Sequence, residues 1–208
     1  MGIFKCCVYV FNSPYTDENS IRAGLKKIAQ NCEASEWFSF YNKLNASCGL
    51  PEMRIRAWAG YNQSDDWFIA SDTYTEQAGS LENLEQTAKF YSEVFGAEAI
   101  AMSVCDSNCS FIAFADGEGQ GFSRIAGRWD GYAEEPDGEM LSAPSFLLDY
   151  IDEEDRAELV EIWKKDFAFE EERLEKTASL LHAPAFYFDA DEKDANPENV
   201  ELIEEYAD

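Results

Sequence analysis

His182 is the single histidine of the chain. That count excludes designs that need two imidazoles, such as the His-Glu-x-x-His zinc hydrolases. A Ser–His–Asp or Cys–His relay would have to run through His182 itself, and no Gly-x-Ser-x-Gly nucleophile turn accompanies it. His182 closes a helical pattern just before Ala183-Pro184, where a cation meets the negative end of the helix dipole. A helix-end role is expected for it. Cys105 and Cys109 flank Asp106-Ser107-Asn108, so a hairpin there would bring two sulfurs together as a redox pair or half a zinc site. A structural zinc site needs two such close pairs, and turn or core thiols are the expectation. Asp116-Gly117-Glu118-Gly119-Gln120-Gly121 touches two templates and fits neither. A dinucleotide loop wants its third glycine elsewhere and a helix after it. A calcium loop wants a glutamate at position 12, where Gly127 stands. A glycine-rich hairpin turn is expected. Asp189, Asp191 and Asp194 fail the calcium template because Lys193 takes a ligand position. No catalytic residue, metal ligand or cofactor is assigned from these patterns.

The elements that must position such residues follow from periodicity. Residues 3–11 form an apolar run, expected as a strand covered on both faces. Adjacent Cys6 and Cys7 then point to opposite faces. Thr16 or Asp17 is placed to cap a helix reaching about Gln30, with Ile21, Leu25, Ile28 and Ala29 on its inner face. Trp37, Phe40, Tyr41 and Leu44 suggest another helix near 34–45. Residues 53–59 alternate as a half-exposed strand, and 67–71 form the next. Ser80, then Leu81, Leu84, Ala88, Tyr91 and Phe95, then Gly96, mark a capped and terminated helix. A strand over 98–105 completes one βαβ crossover. An antiparallel meander over 105–127 comes after it.

A polar stretch from Arg128 to Pro144 follows, then helical pattern. Ser145–Ile151 is a short piece, Asp152–Phe167 carries a stripe of Leu159, Ile162, Trp163 and Phe167, and Glu170–His182 buries Leu174, Ala178 and Leu181. A last strand is expected over 185–189. A terminal helix is expected from Asn196-Pro197, with Val200, Ile203 and Tyr206 as its face. The element count implies an α+β fold, with a single mixed sheet of about six or seven strands packed with helices. One domain over 1–208 is expected, divided into a sheet-bearing core (1–130) and an acidic helical portion (131–208).

The charge is lopsided. The chain has 208 residues, with 42 Asp and Glu against 16 Lys and Arg, a net charge of −26. Residues 1–130 hold 17 acids and 10 bases, whereas residues 131–208 hold 25 acids and 6 bases, a net −19. This sign repels nucleic-acid phosphates and anionic membrane surfaces, so neither is an expected partner. Disorder is a poor fit, since 46% of residues are hydrophobic and 14% aromatic. Met1–Tyr15 lacks the apolar core of a signal peptide, Cys6 stands where a myristoylation motif wants Ser or Thr, and no run reaches transmembrane length. Reduced thiols and a cytoplasmic location are expected.

The acid runs Asp152, Glu153, Glu154, Asp155 and Glu170, Glu171, Glu172 read as solvated helix faces. Their concentration in one half makes them the expected docking surface for a basic protein partner. Trp129 and Tyr132, in Arg128-Trp129-Asp130-Gly131-Tyr132, are the expected aromatic anchors. A small acidic α+β protein without a catalytic signature resembles the bacterial immunity proteins, which neutralise toxins, often basic nucleases. The resemblance is one of class and composition, and implies stoichiometric inhibition in place of catalysis. The alternative is a small enzyme or ligand-binding domain that holds an anionic molecule with Arg54, Arg56 or Arg124.

Overall fold

A computed structural model describes residues 5–11, 17–33, 43–49, 56–61, 66–70, 81–127, 141–186 and 201–206. In chain order these form β1 (Lys5–Phe11), α1 (Glu18–Glu33), α2 (43–47), β2 (Arg56–Tyr61), β3 (Trp67–Ala70), α3 (Leu81–Phe95), β4 (Ala99–Cys105), β5 (Cys109–Ala115) and β6 (Gly121–Gly127). A 3-10 turn (Ser145–Tyr150), α4 (Arg156–Lys164), α5 (Glu171–Leu180) and β7 (Glu201–Tyr206) follow.

Five strands make one sheet in the order β3-β1-β4-β5-β6, and every neighbouring pair is antiparallel. The fold is α+β as expected, but the sheet has five strands where six or seven were expected, and it is antiparallel where a mixed sheet was expected. The crossover from β3 through α3 to β4 is present. Its two strands run the same way, yet β1 lies between them and pairs with both. Local pattern identifies the strand–helix–strand unit. It carries no information about a third strand inserted from earlier in the chain.

Two further expectations are corrected. Residues 201–206 form a strand paired with β2, Ile203 opposite Ala59 and Tyr206 opposite Arg56, where a helix was expected. Three-residue spacing of Val200, Ile203 and Tyr206 mimics a helical stripe, and pairing with β2 supplies the hydrogen bonds that override it. The ribbon of β2 and β7 is separate from the main sheet. The strand expected over 185–189 is not formed at Ala185 or Phe186, and its remainder lies outside the described residues. The helix expected over 34–45 is described only from residue 43 on.

Side-chain alternation then builds two cores. Cys6, Val8 and Val10 of β1 face α1 and α3, where Ile21, Leu25, Leu84, Ala88, Tyr91 and Phe95 are buried. Gly24 allows the close approach of those helices, since a Cβ there would stand 2.2 Å from the Phe95 ring. Cys7 and Tyr9 face the opposite layer, where Leu147, Ile151, Leu159, Ile162, Trp163, Leu174, Ala178 and Leu181 pack. All seven residues of β4 and of β5 are buried. That explains their mainly apolar composition, interrupted by Ser103 and Ser110, since strands covered on both faces have no solvent side to alternate with. Asp17 caps α1: its Oδ1 accepts from the Ser20 amide at 3.0 Å and its Oδ2 from the Ser20 hydroxyl at 2.6 Å.

Candidate functional site

One end of the molecule gathers strain, buried charge and a cavity. The β4–β5 hairpin turns at Asp106 and Ser107, with φ of 51° and 55°, and Asn108 N donates to Cys105 O at 3.0 Å. Two positive φ values in the central positions are the pattern of a type I′ turn, which favours Asn-Gly over Asp-Ser. Non-glycine residues in this region are strained by about 1–3 kcal/mol each. The tip is held by what docks on it. Ser107 O accepts from Glu170 N at 3.1 Å, and Ser107 Oγ donates to Glu171 Oε1 at 3.2 Å. Gly127, ending β6 at φ 90°, closes the other side, where a Cβ would lie 2.4 Å from Asn108 O and 2.7 Å from Glu170 Cδ.

Beneath the tip sits a buried ion pair, Glu170 at 3% and Arg173 at 2% exposure. Arg173 Nε donates to Glu170 Oε2 at 2.7 Å and Nη2 donates to Oε1 at 3.1 Å, a bidentate clasp. Its remaining donors reach Ile162 O at 2.5 Å and Lys165 O at 2.7 Å. Ser110 Oγ of β5 donates to Glu170 Oε2 at 2.6 Å. One guanidinium and one carboxylate thus join the end of α4, the start of α5 and the start of β5. Trp163 Nε1 donates to Thr177 Oγ1 at 3.2 Å, and Thr177 Oγ1 donates to Arg173 O at 2.8 Å, which extends the polar seam along α5.

A cavity of about 250 Å³ opens beside the clasp, lined by Ser107, Asn108, Gly127, Asp166, Phe167, Ala168 and Glu170. Phe167 lies under two cations, Lys165 Nζ and the Arg173 guanidinium, each 4.9 Å from its centroid. Phe169, next in the same α4–α5 loop but one, is 57% exposed. A second, more open groove of about 360 Å³ runs along α4 and α5 between Glu158, Glu161, Lys164, Lys165, Phe167 and Lys176.

The residues singled out in the sequence distribute unevenly. Asp152, Glu153 and Glu154 are exposed and Asp155 is half-buried, in the turn that leads into α4. Glu172 is exposed, as a solvated face requires, whereas Glu171 is half-buried and turned towards the hairpin, its Oε1 accepting from Ser107. Glu170 departs from that reading: it is among the most buried charges, because Arg173 three residues on folds back to neutralise it. Trp129 and Tyr132 lie outside the described residues, as does Arg54; Arg56 opens β2. Arg124 is buried, donates to Ser142 Oγ at 3.1 Å and to Ser123 O at 2.6 Å, and lies 5.4 Å over the Phe146 ring. Two of its donors are thus occupied within the chain.

His182 takes the helix-end role. It sits at φ 52°, with His182 N on Ser179 O at 3.1 Å and Ala183 N on Ala178 O at 3.0 Å, the two bonds of a Schellman cap. Its Nε2 lies 3.2 Å from Asp152 Oδ2, both side chains well exposed. Cys105 and Cys109 are register partners and both are free thiols. Burial pushes the Cys109 thiol up to about 12, with the neighbouring Cys105 adding to the rise, so the reactive thiolate is scarce near neutral pH. Asp116 closes the β5–β6 turn, its Oδ1 accepting from Glu118 N at 3.1 Å and Gln120 N at 2.7 Å. Ser107, Asn108 and the Asp166–Phe169 loop were missed. The signal available was Arg173, a lone base set three residues from Glu170 inside an acid run.

No family model, curated protein or solved structure matches this chain.

Proposed function

We propose that the protein is a stoichiometric binding protein whose acidic C-terminal layer docks a basic protein partner, in the manner of an immunity protein. The observation that supports this is the two-sidedness of that layer. Its inner side is apolar against the sheet, while Asp152, Glu153, Glu154, Glu158, Glu161, Glu172 and Glu175 are exposed. Fixed carboxylates on a folded support attract a basic surface over several ångströms and select it by sign. The half from residue 131 to 208, at net −19, supplies most of the field. No described helix is long and apolar enough to cross a membrane, and a cytoplasmic site of action is part of the proposal.

The test is retention of basic proteins from a cell lysate at low and at high salt. The wild type is run beside a variant carrying Asp152→Asn, Glu153→Gln and Glu154→Gln. A basic protein held in one-to-one ratio at low salt, released by salt and retained several-fold less by the variant, is the expected result. No basic protein at low salt, or equal retention by both chains, refutes the reading.

A further inference from the structure

We propose that Cys105 and Cys109 form a redox-responsive latch, which a peroxide closes to a cross-strand disulfide when the tip of the β4–β5 hairpin lifts from α5. Register selects the pair. The two residues stand directly opposite each other across β4 and β5. Opposed residues of an antiparallel pair have Cα atoms about 4.5–5.5 Å apart, inside the roughly 4.4–6.8 Å that a disulfide spans. Both side chains belong to the core on the α1 and α3 side of the sheet. Cys109 Sγ donates to Cys105 O at 3.9 Å, and the two thiols are close enough to hydrogen-bond to each other.

The other thiols among the described residues are placed elsewhere. Cys6 shares that face but stands opposite Ser103, two residues along β4 from Cys105. Such a diagonal is about 7–8 Å, at or beyond the reach of a bridge. Cys7 belongs to the opposite core, and Cys48 is exposed just after α2.

The surroundings favour the bond over the free anion. Burial opposes a thiolate at Cys109, whereas a disulfide brings no charge into the core. In the closed hairpin Cys105 is 4% exposed and Cys109 0%, so oxidation waits on the tip. That tip is strained at Asp106 and Ser107. It is tied to the start of α5 by Glu170 N donating to Ser107 O at 3.1 Å and Ser107 Oγ donating to Glu171 Oε1 at 3.2 Å. Release of these ties uncovers the sulfurs.

The Cys105 thiolate then attacks one peroxide oxygen. The O–O bond breaks, leaving a sulfenic acid and a first water. The Cys109 sulfur attacks the sulfenic sulfur, its proton leaves with the displaced hydroxide as a second water, and the S–S bond forms. Two electrons pass from the sulfur pair to one peroxide.

The experiment treats the full native chain with hydrogen peroxide at neutral pH. Remaining thiols are alkylated and disulfides mapped by mass spectrometry over time. Expected is a bond between Cys105 and Cys109, reversed by dithiothreitol and absent from Cys105→Ser. Glu171→Ala, which removes one tie, is expected to speed bond formation several-fold. Glu171→Gln, whose side-chain oxygen still accepts, is expected to react within about twofold of wild type. Deuterium exchange at the Asn108 amide, which donates to Cys105 O, is expected to slow several-fold in the oxidised chain.

A bond between other cysteines, oxidation beyond sulfenic acid without a bond, or no reaction overturns the proposal. Equal rates for Glu171→Ala and wild type show that the tip does not gate the sulfurs, and overturn the latch. If Cys105→Ser does not fold, the bond mapped in the wild type decides.

Discussion

Removal of Arg173 strands a buried charge and two helix-end carbonyls at once. The side chain is buried, and its guanidinium serves Glu170 and those two carbonyls. Arg173→Met keeps volume but leaves a buried carboxylate without its counter-charge, a loss of about 3–5 kcal/mol. Adding Glu170→Gln to that variant is expected to restore a substantial part, because the stranded charge is gone. Urea unfolding of the two variants and the wild type reads the difference, and equal stabilities for the single and double variants contradict it. The sequence placed Glu170 in an acid run and treated the run uniformly. Composition gives each glutamate the same prior. Only the fold decides which one turns inward, and the clue was the opposite charge at a three-residue spacing.

At the scale of elements, the helix over 81–95 was read from its apolar stripe and its terminating glycine, while its expected cap, Ser80, lies outside the described residues. Leu81 to Phe95 was bounded by a terminating Gly96, observed at φ 62° with its amide on Ser92 O at 2.7 Å. The α5 terminus departs from that pattern, since a histidine occupies the position that glycine usually fills. Left-handed backbone costs an L-residue about 1–2 kcal/mol, and glycine returns about 0.5–1 kcal/mol of that as its own entropy loss. The exposed contact with Asp152 is worth little against these amounts. His182→Gly is therefore expected to stabilise by about 0.5–1 kcal/mol, raising Tm by about 1–4 °C for a chain of this length. Calorimetry checks it, and a fall in Tm shows that the His182–Asp152 contact outweighs the strain. What the sequence did not disclose at this scale was pairing. The strand at 201–206 and the insertion of β1 between β3 and β4 depend on partners far away in the chain, and no window of local periodicity contains them.

For the whole molecule, burial of weakly acidic groups sets an alkaline limit. Burial, with Cys105 next, lifts Cys109 from 9.0 to about 12. Burial, with the carboxylates of Glu98, Asp149 and Asp116, lifts Tyr150 from 10.0 to about 12. In each case the folded state keeps a proton that the unfolded chain has released. Stability from these groups is complete below about pH 9 and is lost as pH rises towards 12. Urea midpoints are expected to hold from pH 8 to about pH 9 and to fall from there to about pH 11, with a shallower fall in a Cys109→Ala, Tyr150→Phe variant. Flat midpoints rule the linkage out.

The strand order has a further consequence, for the making of the protein. Synthesis delivers β1 well before either of its neighbours, because β3 and β4 flank it but follow only after α1, α2 and β2 have been made. Once β6 has emerged, the sheet can close and still be only half dressed. Tyr9, Trp67, Ile69, Ile100, Met102, Ile112 and Phe114 wait for the layer that starts near Ser145. A translating ribosome would therefore hold a chain with a formed sheet and one bare, aromatic-rich side. That interval is the natural moment for a chaperone to bind, and the natural place for aggregation when synthesis stalls.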